Sequence, residues 1–213
     1  MKIEIWSDVV CPFCYIGKRK LEKSIAKMPF KDSVEIEWKS FMLNPNARTQ
    51  PEINSQEYLA KSKGWTLEQT KQISNQVTTM AAEEGLEYHL DKTVVANSIN
   101  SHRLLHLAKS KSLGSEMKER LLKAYFTEGL NIDDEETLVK LGEEVGLKDS
   151  EVREVLENSL FQIEIENDFR ESREIGVQGV PFFVINRKYG ISGAQPDVVF
   201  DESLKKAWEE SQG

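Results

Sequence analysis

The chain has 213 residues, with 28 Lys or Arg and 36 Asp or Glu, which gives a formal net charge of −8 at pH 7. This excess of negative charge argues against negatively charged partners, such as nucleic acid or an anionic membrane surface. The longest apolar run, from Val180 to Ile185, is too short for a transmembrane helix, and the charged residues Lys2, Glu4 and Asp8 are unlike a secretory signal. We therefore expect a cytoplasmic globular protein.

The first forty residues predict two strands separated by a helix. Residues 2–7 alternate isoleucine with charged side chains, which is the period of a strand, and residues 34–41 alternate in the same way. Pro12 favours the first turn of a helix, and apolar residues then recur at helical spacing as far as Pro29, which ends it. The chain is therefore expected to begin as a strand–helix–strand unit.

The middle of the chain has the period of helices and is rich in Glu, Lys, Leu and Ala. Pro45 and Pro51 mark a loop before it, and glycines separate the helical stretches. We predict an all-helical insertion over residues 46–160, followed by a helix that rejoins the core. The predicted helices span residues 55–63, 66–84, 97–111, 115–128, 134–145, 149–158 and 161–175.

Strand character returns at residues 180–185, followed by a turn, a short strand at 190–192 and a closing helix at about 196–210. The order is β-α-β, a helical insertion, then α-β-β-α. This order predicts an α/β fold with a thioredoxin-like core interrupted by a large all-helical insertion. The core is expected to comprise residues 1–45 and 161–213.

Cys11 and Cys14 are the only cysteines, and they are three positions apart. As a structural disulfide they would close a very short loop, which stabilises a protein by only about 2 kcal/mol. As half of a zinc site they would need two more ligands, for which His89, His102 and His106 are the only histidines. A thiol–disulfide redox pair is the interpretation we favour, with no metal.

The predicted position of the pair gives each sulfur a role. At a helix N-terminus Cys11 would meet unpaired backbone N–H groups, so we expect a lowered pKa and a nucleophilic thiolate. Cys14, one turn further on, would attack the Cys11 sulfur and release the product. Pro12 and Phe13, between the two cysteines, bear no charge and would contact the substrate. Asp8, if close, would oppose the thiolate.

The Val180–Pro181 step begins the second strand-forming stretch. Proline is acceptable at the start of a strand, and a cis peptide is plausible in this sequence, although a trans proline would also fit. We expect the loop to abut the cysteines. The backbone of Val180 would then pair with an extended substrate as a strand edge does.

Five blocks of this sequence together resemble the FrnE-like branch of the DsbA family, a cytoplasmic relative of periplasmic thiol oxidases. The resemblance runs nearly from end to end. It implies a thioredoxin fold with a helical insertion, dithiol–disulfide oxidoreductase activity, and a cis peptide before Pro181. The blocks are Trp6–Gly17 (with Cys-Pro-Phe-Cys), Asn97–Arg103, Ala124–Gly129, Gly176–Ile185 and Gly193–Pro196.

Two departures from related sequences bear on the chemistry. The family more often has tryptophan at the position of Phe13, which affects the redox potential. Kappa-class glutathione transferases and 2-hydroxychromene-2-carboxylate isomerases, from the same superfamily, keep a serine near the position of Cys11 and bind glutathione. They also tend to have an acidic glutathione contact where this chain has Ala194 and Gln195. The presence of both cysteines, and of Ala194 and Gln195 in place of that acidic contact, favours dithiol redox chemistry over glutathione transfer.

Asn97 and His102 are candidate substrate-binding residues. They share a predicted helix whose opposite face is apolar, so their polar side could face Cys11. The alternative is that both side chains satisfy buried backbone groups between the insertion and the core.

The sequence thus predicts a cytoplasmic protein thiol–disulfide oxidoreductase whose only cofactor is its own Cys11–Cys14 pair. Its expected partners are disulfides of proteins or small thiols, with glutathione as a conceivable co-substrate, and its oligomeric state is not predicted. Two alternatives stay open. One is a glutathione-dependent transferase or isomerase, and the other is a non-catalytic binding module switched by oxidation of the pair.

Overall fold

The structure is a computed structural model that describes residues 1–212. A short 3-10 turn, Lys31–Ser33, precedes the second strand. The elements in chain order are β1 (Lys2–Ser7), α1 (Pro12–Ala26), β2 (Glu35–Ser40), β3 (Gln50–Asn54), α2 (Ser55–Lys63), α3 (Leu67–Glu83), β4 (Val94–Val95), α4 (Ile99–Ser110), α5 (Gly114–Phe126), α6 (Glu135–Val145), α7 (Asp149–Glu157), α8 (Gln162–Glu174), β5 (Phe182–Ile185), β6 (Tyr189–Ser192) and α9 (Asp197–Gln212).

The chain divides into two compact units. Residues 1–43 and the chain from residue 165 onward form the core unit, and residues 44–164 form the helical unit. The sequence placed these boundaries at 45/46 and 160/161. The second boundary lies inside α8, where the helical period continues and no turn residue marks a change.

The core unit is built on a four-stranded mixed sheet in the order β2-β1-β5-β6. β1 pairs with β2 in parallel and with β5 antiparallel, so that Ile5 lies between Trp38 and Phe183. Because β1 is a central strand, Ile3, Ile5 and Trp6 are all buried. The thioredoxin-like α/β core predicted from the sequence is therefore confirmed.

One charged residue departs from the alternation that predicted β1. Glu4 faces away from Ile3 and Ile5, yet it is only 1 % exposed. Its carboxylate forms ion pairs with Arg187 and Lys39, so the buried charge has partners. Burial of a paired carboxylate avoids the cost of an isolated one.

Asp168 of α8 joins the ends of two strands in the core unit. Its Oδ2 accepts a hydrogen bond from the Ser40 N–H at 2.7 Å, and its backbone oxygen accepts one from the Trp6 indole at 3.0 Å. The Asp168 carboxylate also lies 3.5 Å from Lys39 Nζ. These bonds hold the carboxyl ends of β1 and β2 in place, and Cys11 follows β1 after a short turn.

The helical unit contains an antiparallel ribbon of β3 and β4 that the sequence did not predict. β4 has two residues and β3 includes Pro51, so neither gives a period-2 pattern. The predicted helices of this unit are present, with α4 beginning at Ile99 rather than at Asn97. Among residues 1–212 no helix is both long and apolar enough to cross a membrane.

Candidate active site

Cys11 and Cys14 lie at the start of α1, where the chain leaves β1. Cys11 is the N-cap residue with extended backbone angles (φ −95, ψ 111), and Pro12 is the first helical residue. The N–H of Cys14 donates to the Cys11 carbonyl at 3.0 Å, which closes the first turn. Both cysteines are free thiols and both are buried, with exposed fractions of 2 % and 1 %. The predicted placement at the strand-to-helix turn is confirmed.

The loop before β5 covers the Cys11 sulfur. The thiol donates a hydrogen bond to the Val180 carbonyl at 3.4 Å, and the Val180–Pro181 peptide bond is cis, as the sequence suggested. The Pro181 carbonyl in turn accepts from the Gly193 N–H at 2.8 Å, which ties the loop to the end of β6. The structure therefore brings Cys11, Val180 and Pro181 into one place.

Gly17 is a residue of the site that sequence reasoning did not single out. A Cβ at this position would lie 2.9 Å from Pro181 Cγ and 3.1 Å from the Phe183 ring. Only glycine lets α1 approach the Pro181 loop this closely. The signal was a glycine inside an amphipathic helix, which often marks a close packing contact.

The two residues between the cysteines differ in exposure. Pro12 is half-buried and occupies the first helical position, which needs no N–H. The Phe13 side chain is exposed at 38 %, which is unusual for a large apolar ring. Its ring is therefore available for contact with a bound molecule next to the sulfurs.

The acidity of Cys11 differs from the sequence prediction. The pKa of Cys11 is raised well above its ordinary value, first because its side chain is hydrogen bonded to that of Cys14, and then because the thiol is buried. The Cys14 backbone N–H lowers the pKa, as expected at a helix N-terminus, but it is outweighed. The prediction of a lowered pKa was wrong because the Cys14 thiol and the burial of the Cys11 sulfur both raise it.

This raised pKa gives a measurable pH dependence. Alkylation of Cys11 in the reduced protein by iodoacetamide should be slow at pH 7 and should increase with pH beyond about 8.5, the ordinary cysteine pKa. In a Cys14→Ala variant the largest cause of the shift is absent, so the profile should move to lower pH. Mass spectrometry of quenched samples measures both profiles. A wild-type midpoint below pH 7 would contradict the raised pKa.

Asn97 and His102 belong to the helical unit. Asn97 precedes α4: its Oδ1 accepts from the Ile99 N–H at 2.8 Å, and its Nδ2 donates to the Ala47 carbonyl at 2.8 Å. His102 is completely buried within α4. Asn97 thus satisfies backbone groups of its own unit, and the substrate-binding role of both residues stays a prediction.

The other histidines occupy ordinary structural positions. His89 lies 3.1 Å from Glu87 at the surface, and the His106 ring stacks on Phe161 with centroids 6.0 Å apart. Within residues 1–212 no group of three or more His, Cys, Asp or Glu side chains is arranged to hold a metal ion.

A cysteine pair at the N-terminus of a helix, beside a cis-proline loop on a mixed sheet, defines a thioredoxin-fold protein with a dithiol site. The model of the DSBA-like thioredoxin domain family matches residues 2–205, and the chain belongs to this family. It is a thiol–disulfide oxidoreductase of the DsbA-like type.

Three proteins illustrate what the chain is similar to. The chain is 30 % identical to the uncharacterized protein YwbO of Bacillus subtilis over 95 % of this chain and 94 % of that protein. The crystal structure of a probable DsbA oxidoreductase from Streptomyces coelicolor is similar with a TM-score of 0.93 and 38 % identity, covering 99 % of this chain and 91 % of that one. The cytosolic disulfide reductase DsbM of Pseudomonas aeruginosa, whose structure with GSH is known, shares the fold: TM-score 0.70, 17 % identity, coverage 98 % and 100 %.

Proposed function

We propose that this protein is a cytoplasmic thiol–disulfide oxidoreductase that reduces disulfides of proteins or small thiols through a mixed disulfide on Cys11. The observation that supports this most directly is the contact of the Cys11 thiol with the Val180 carbonyl, 3.4 Å away in the loop before β5. It puts the nucleophilic sulfur next to a segment of backbone that a substrate could pair with. The fold shared with a cytosolic reductase supports the location.

In the first step the Cys11 sulfur, as a thiolate, attacks one sulfur of the substrate disulfide. A bond forms between Cys11 Sγ and that sulfur, the substrate S–S bond breaks, and the second substrate sulfur leaves as a thiolate. Cys11 is the better placed nucleophile because it caps α1 and the Cys14 N–H stabilises its charge.

In the second step Cys14 resolves the intermediate. Its thiolate attacks Cys11 Sγ, the bond from Cys11 to the substrate breaks, and the substrate leaves as a second thiolate. The substrate has then gained two electrons and the protein has become the Cys11–Cys14 disulfide. The side chain of Cys14 is hydrogen bonded to that of Cys11, so the two sulfurs are neighbours.

The loop before β5 offers a docking position for the substrate backbone. The Val180 N–H donates no hydrogen bond to any residue from 1 to 212, and Val180 is only half-buried. An extended substrate segment could accept from this N–H while its side chains contact the exposed Phe13 ring. Affinity would then come mainly from backbone pairing, which tolerates many sequences.

The oxidised pair needs a reductant before the next turnover. A small thiol such as glutathione would serve, since two molecules supply the two electrons and leave as glutathione disulfide. The fold shared with a reductase whose structure with GSH is known supports this choice. No cofactor beyond the cysteine pair takes part in this scheme.

A Cys14→Ser variant tests the proposal, because removal of the resolving thiol should stall the reaction at the mixed disulfide. The variant, expressed in its host and purified without reductant, should have covalent adducts on Cys11 that dithiothreitol releases. Mass spectrometry identifies them. A range of protein adducts supports a general thiol–disulfide oxidoreductase.

The matched control is Cys11→Ser, which keeps Cys14 and should have few adducts. Glutathione as the sole adduct, together with conjugation activity, would replace the proposal with a glutathione-dependent transferase or isomerase. No adduct on Cys14→Ser and no turnover of a model disulfide by the wild type would refute catalysis and leave the redox-switched binding module.

A further inference from the structure

A buried carboxylate lies in the turn that leads from β1 to the nucleophile. Asp8 is completely buried, and its Oδ2 accepts a hydrogen bond from the Leu43 N–H at 2.8 Å. Its Oδ1 accepts from the Val10 N–H at 3.5 Å, and its backbone oxygen accepts from the Cys11 N–H at 3.4 Å. The side chain is therefore fixed in position three residues before the reacting sulfur.

We propose that Asp8 is a positioning residue whose fixed, buried negative charge opposes ionisation of the Cys11–Cys14 pair. This inference rests on the proposed function and extends it, because thiolate stability contributes to the reduction potential of the pair. Asp8 does not touch the substrate in this proposal. It acts through Cys11.

The electrostatics of Cys11 support this role. Asp8 is the carboxylate among the groups that raise the pKa of Cys11, and its contribution adds to those of the Cys14 side chain and of burial. Val180 and Pro181, from the segment that covers the sulfur, have no charge, and neither has Leu43. In a buried site a like charge is poorly screened, so the Asp8 carboxylate opposes the stabilisation of the thiolate by the helix N-terminus.

The chemical consequence is a dithiol pair suited to reducing the disulfides of its substrates. A dithiol whose thiolate is strongly stabilised gains stability in the reduced form and becomes a strong oxidant. The negative charge of Asp8 destabilises the Cys11 thiolate and so opposes that effect. The pair is then a weaker oxidant than the same fold would give with a neutral residue at this position.

Asp8→Asn tests the proposal, since it removes the charge and keeps an oxygen that can accept from the Leu43 N–H. The pH profile for alkylation of Cys11 should move to lower pH, with a tenfold faster rate at neutral pH for each unit by which the pKa falls. Against a glutathione redox buffer the variant should also be more oxidising than the wild type, at a pH that lies between the apparent Cys11 pKa values of the two proteins. An unchanged profile in a folded variant would overturn the proposal.

Asp168→Asn is the matched control. Asp168 is also buried in the core unit, and its Oδ2 also accepts from a backbone amide, the Ser40 N–H at 2.7 Å. It is not one of the leading causes of the raised pKa of Cys11. This variant should lose stability yet keep the wild-type alkylation profile. An equal shift in both variants would assign the effect to general damage.

A measurement on the wild type keeps the proposal testable if Asp8→Asn does not fold. The Leu43 amide nitrogen resonance reports on the carboxylate to which it donates, so in the reduced protein it should titrate together with the thiols. In a variant with serine at both positions 11 and 14 that titration should be lost. A Leu43 resonance that ignores thiol ionisation would contradict coupling. Neither measurement requires turnover, so their failure is distinct from failure of the adduct experiment.

Discussion

Replacing Cys11 with serine is expected to reduce the turnover of a disulfide substrate to the uncatalysed rate, a loss of at least about a thousandfold. A serine hydroxyl is barely ionised at neutral pH and cannot form a disulfide, so neither half of the reaction can proceed. The measurement is the rate at which an aromatic model disulfide or insulin is reduced, with dithiothreitol or glutathione as the reductant.

The same substitution should leave the fold intact, which makes the loss interpretable. The serine hydroxyl can donate to the Val180 carbonyl as the Cys11 thiol does, and it fills nearly the same buried volume. Thermal unfolding should therefore stay within a few degrees of the wild type. Cys14→Ser should still release one thiol per molecule in a single burst. Activity retained by Cys11→Ser would mean that the attacking sulfur is Cys14.

Gly17→Ala should have the second largest effect. The new Cβ would lie 2.9 Å from Pro181 Cγ, so either α1 or the Pro181 loop must shift. Displacement of the loop by even part of an ångström misplaces the backbone that borders Cys11, and we expect turnover to fall by roughly ten- to a hundredfold. Overpacking costs about 1–3 kcal/mol and alanine favours the helix by about 1 kcal/mol, so the free energy of unfolding should fall by at most about 2 kcal/mol.

Gly179→Ala provides a matched control in the neighbouring loop. A Cβ at Gly179 meets no heavy atom within 4 Å, and its φ lies outside the left-handed region. This variant should keep both turnover and stability. If Gly17→Ala is as active as the wild type, the close approach of α1 to Pro181 is not needed for catalysis, and substrate docking must depend on other contacts.

The fold could be predicted from the sequence wherever one period dominates. The alternation in residues 2–7 and the proline at position 12 placed β1 and α1, because a half-polar strand and a proline at the first helical position are strong local signals. The β3–β4 ribbon could not be predicted, since strands this short form through pairing with a distant segment and leave no pattern in either one.

The site shows the same division between local and long-range effects. Cys11 and Cys14 were identified from spacing alone, and their place at the helix N-terminus followed from the neighbouring proline. The raised pKa of Cys11 was missed because its causes are the Cys14 side chain and burial, and the loop that covers the sulfur lies far along the chain. Gly17 was missed because its partner, Pro181, is equally remote. Local sequence identifies reactive groups, but tertiary contacts decide their acidity and packing.

The order in which the chain is made has a consequence for the cysteines. The carbonyl that covers Cys11 belongs to a residue 169 positions later, and β1 must also wait for β5 before its second edge is paired. At about 5–20 residues per second, synthesis of that interval takes roughly 8 to 34 seconds. The helical unit is continuous in sequence and is completed within this period, whereas the core unit is not. On the ribosome, both thiols therefore emerge well before the backbone that buries them exists, and the nascent chain passes through a stage in which they are open to cellular oxidants and to each other.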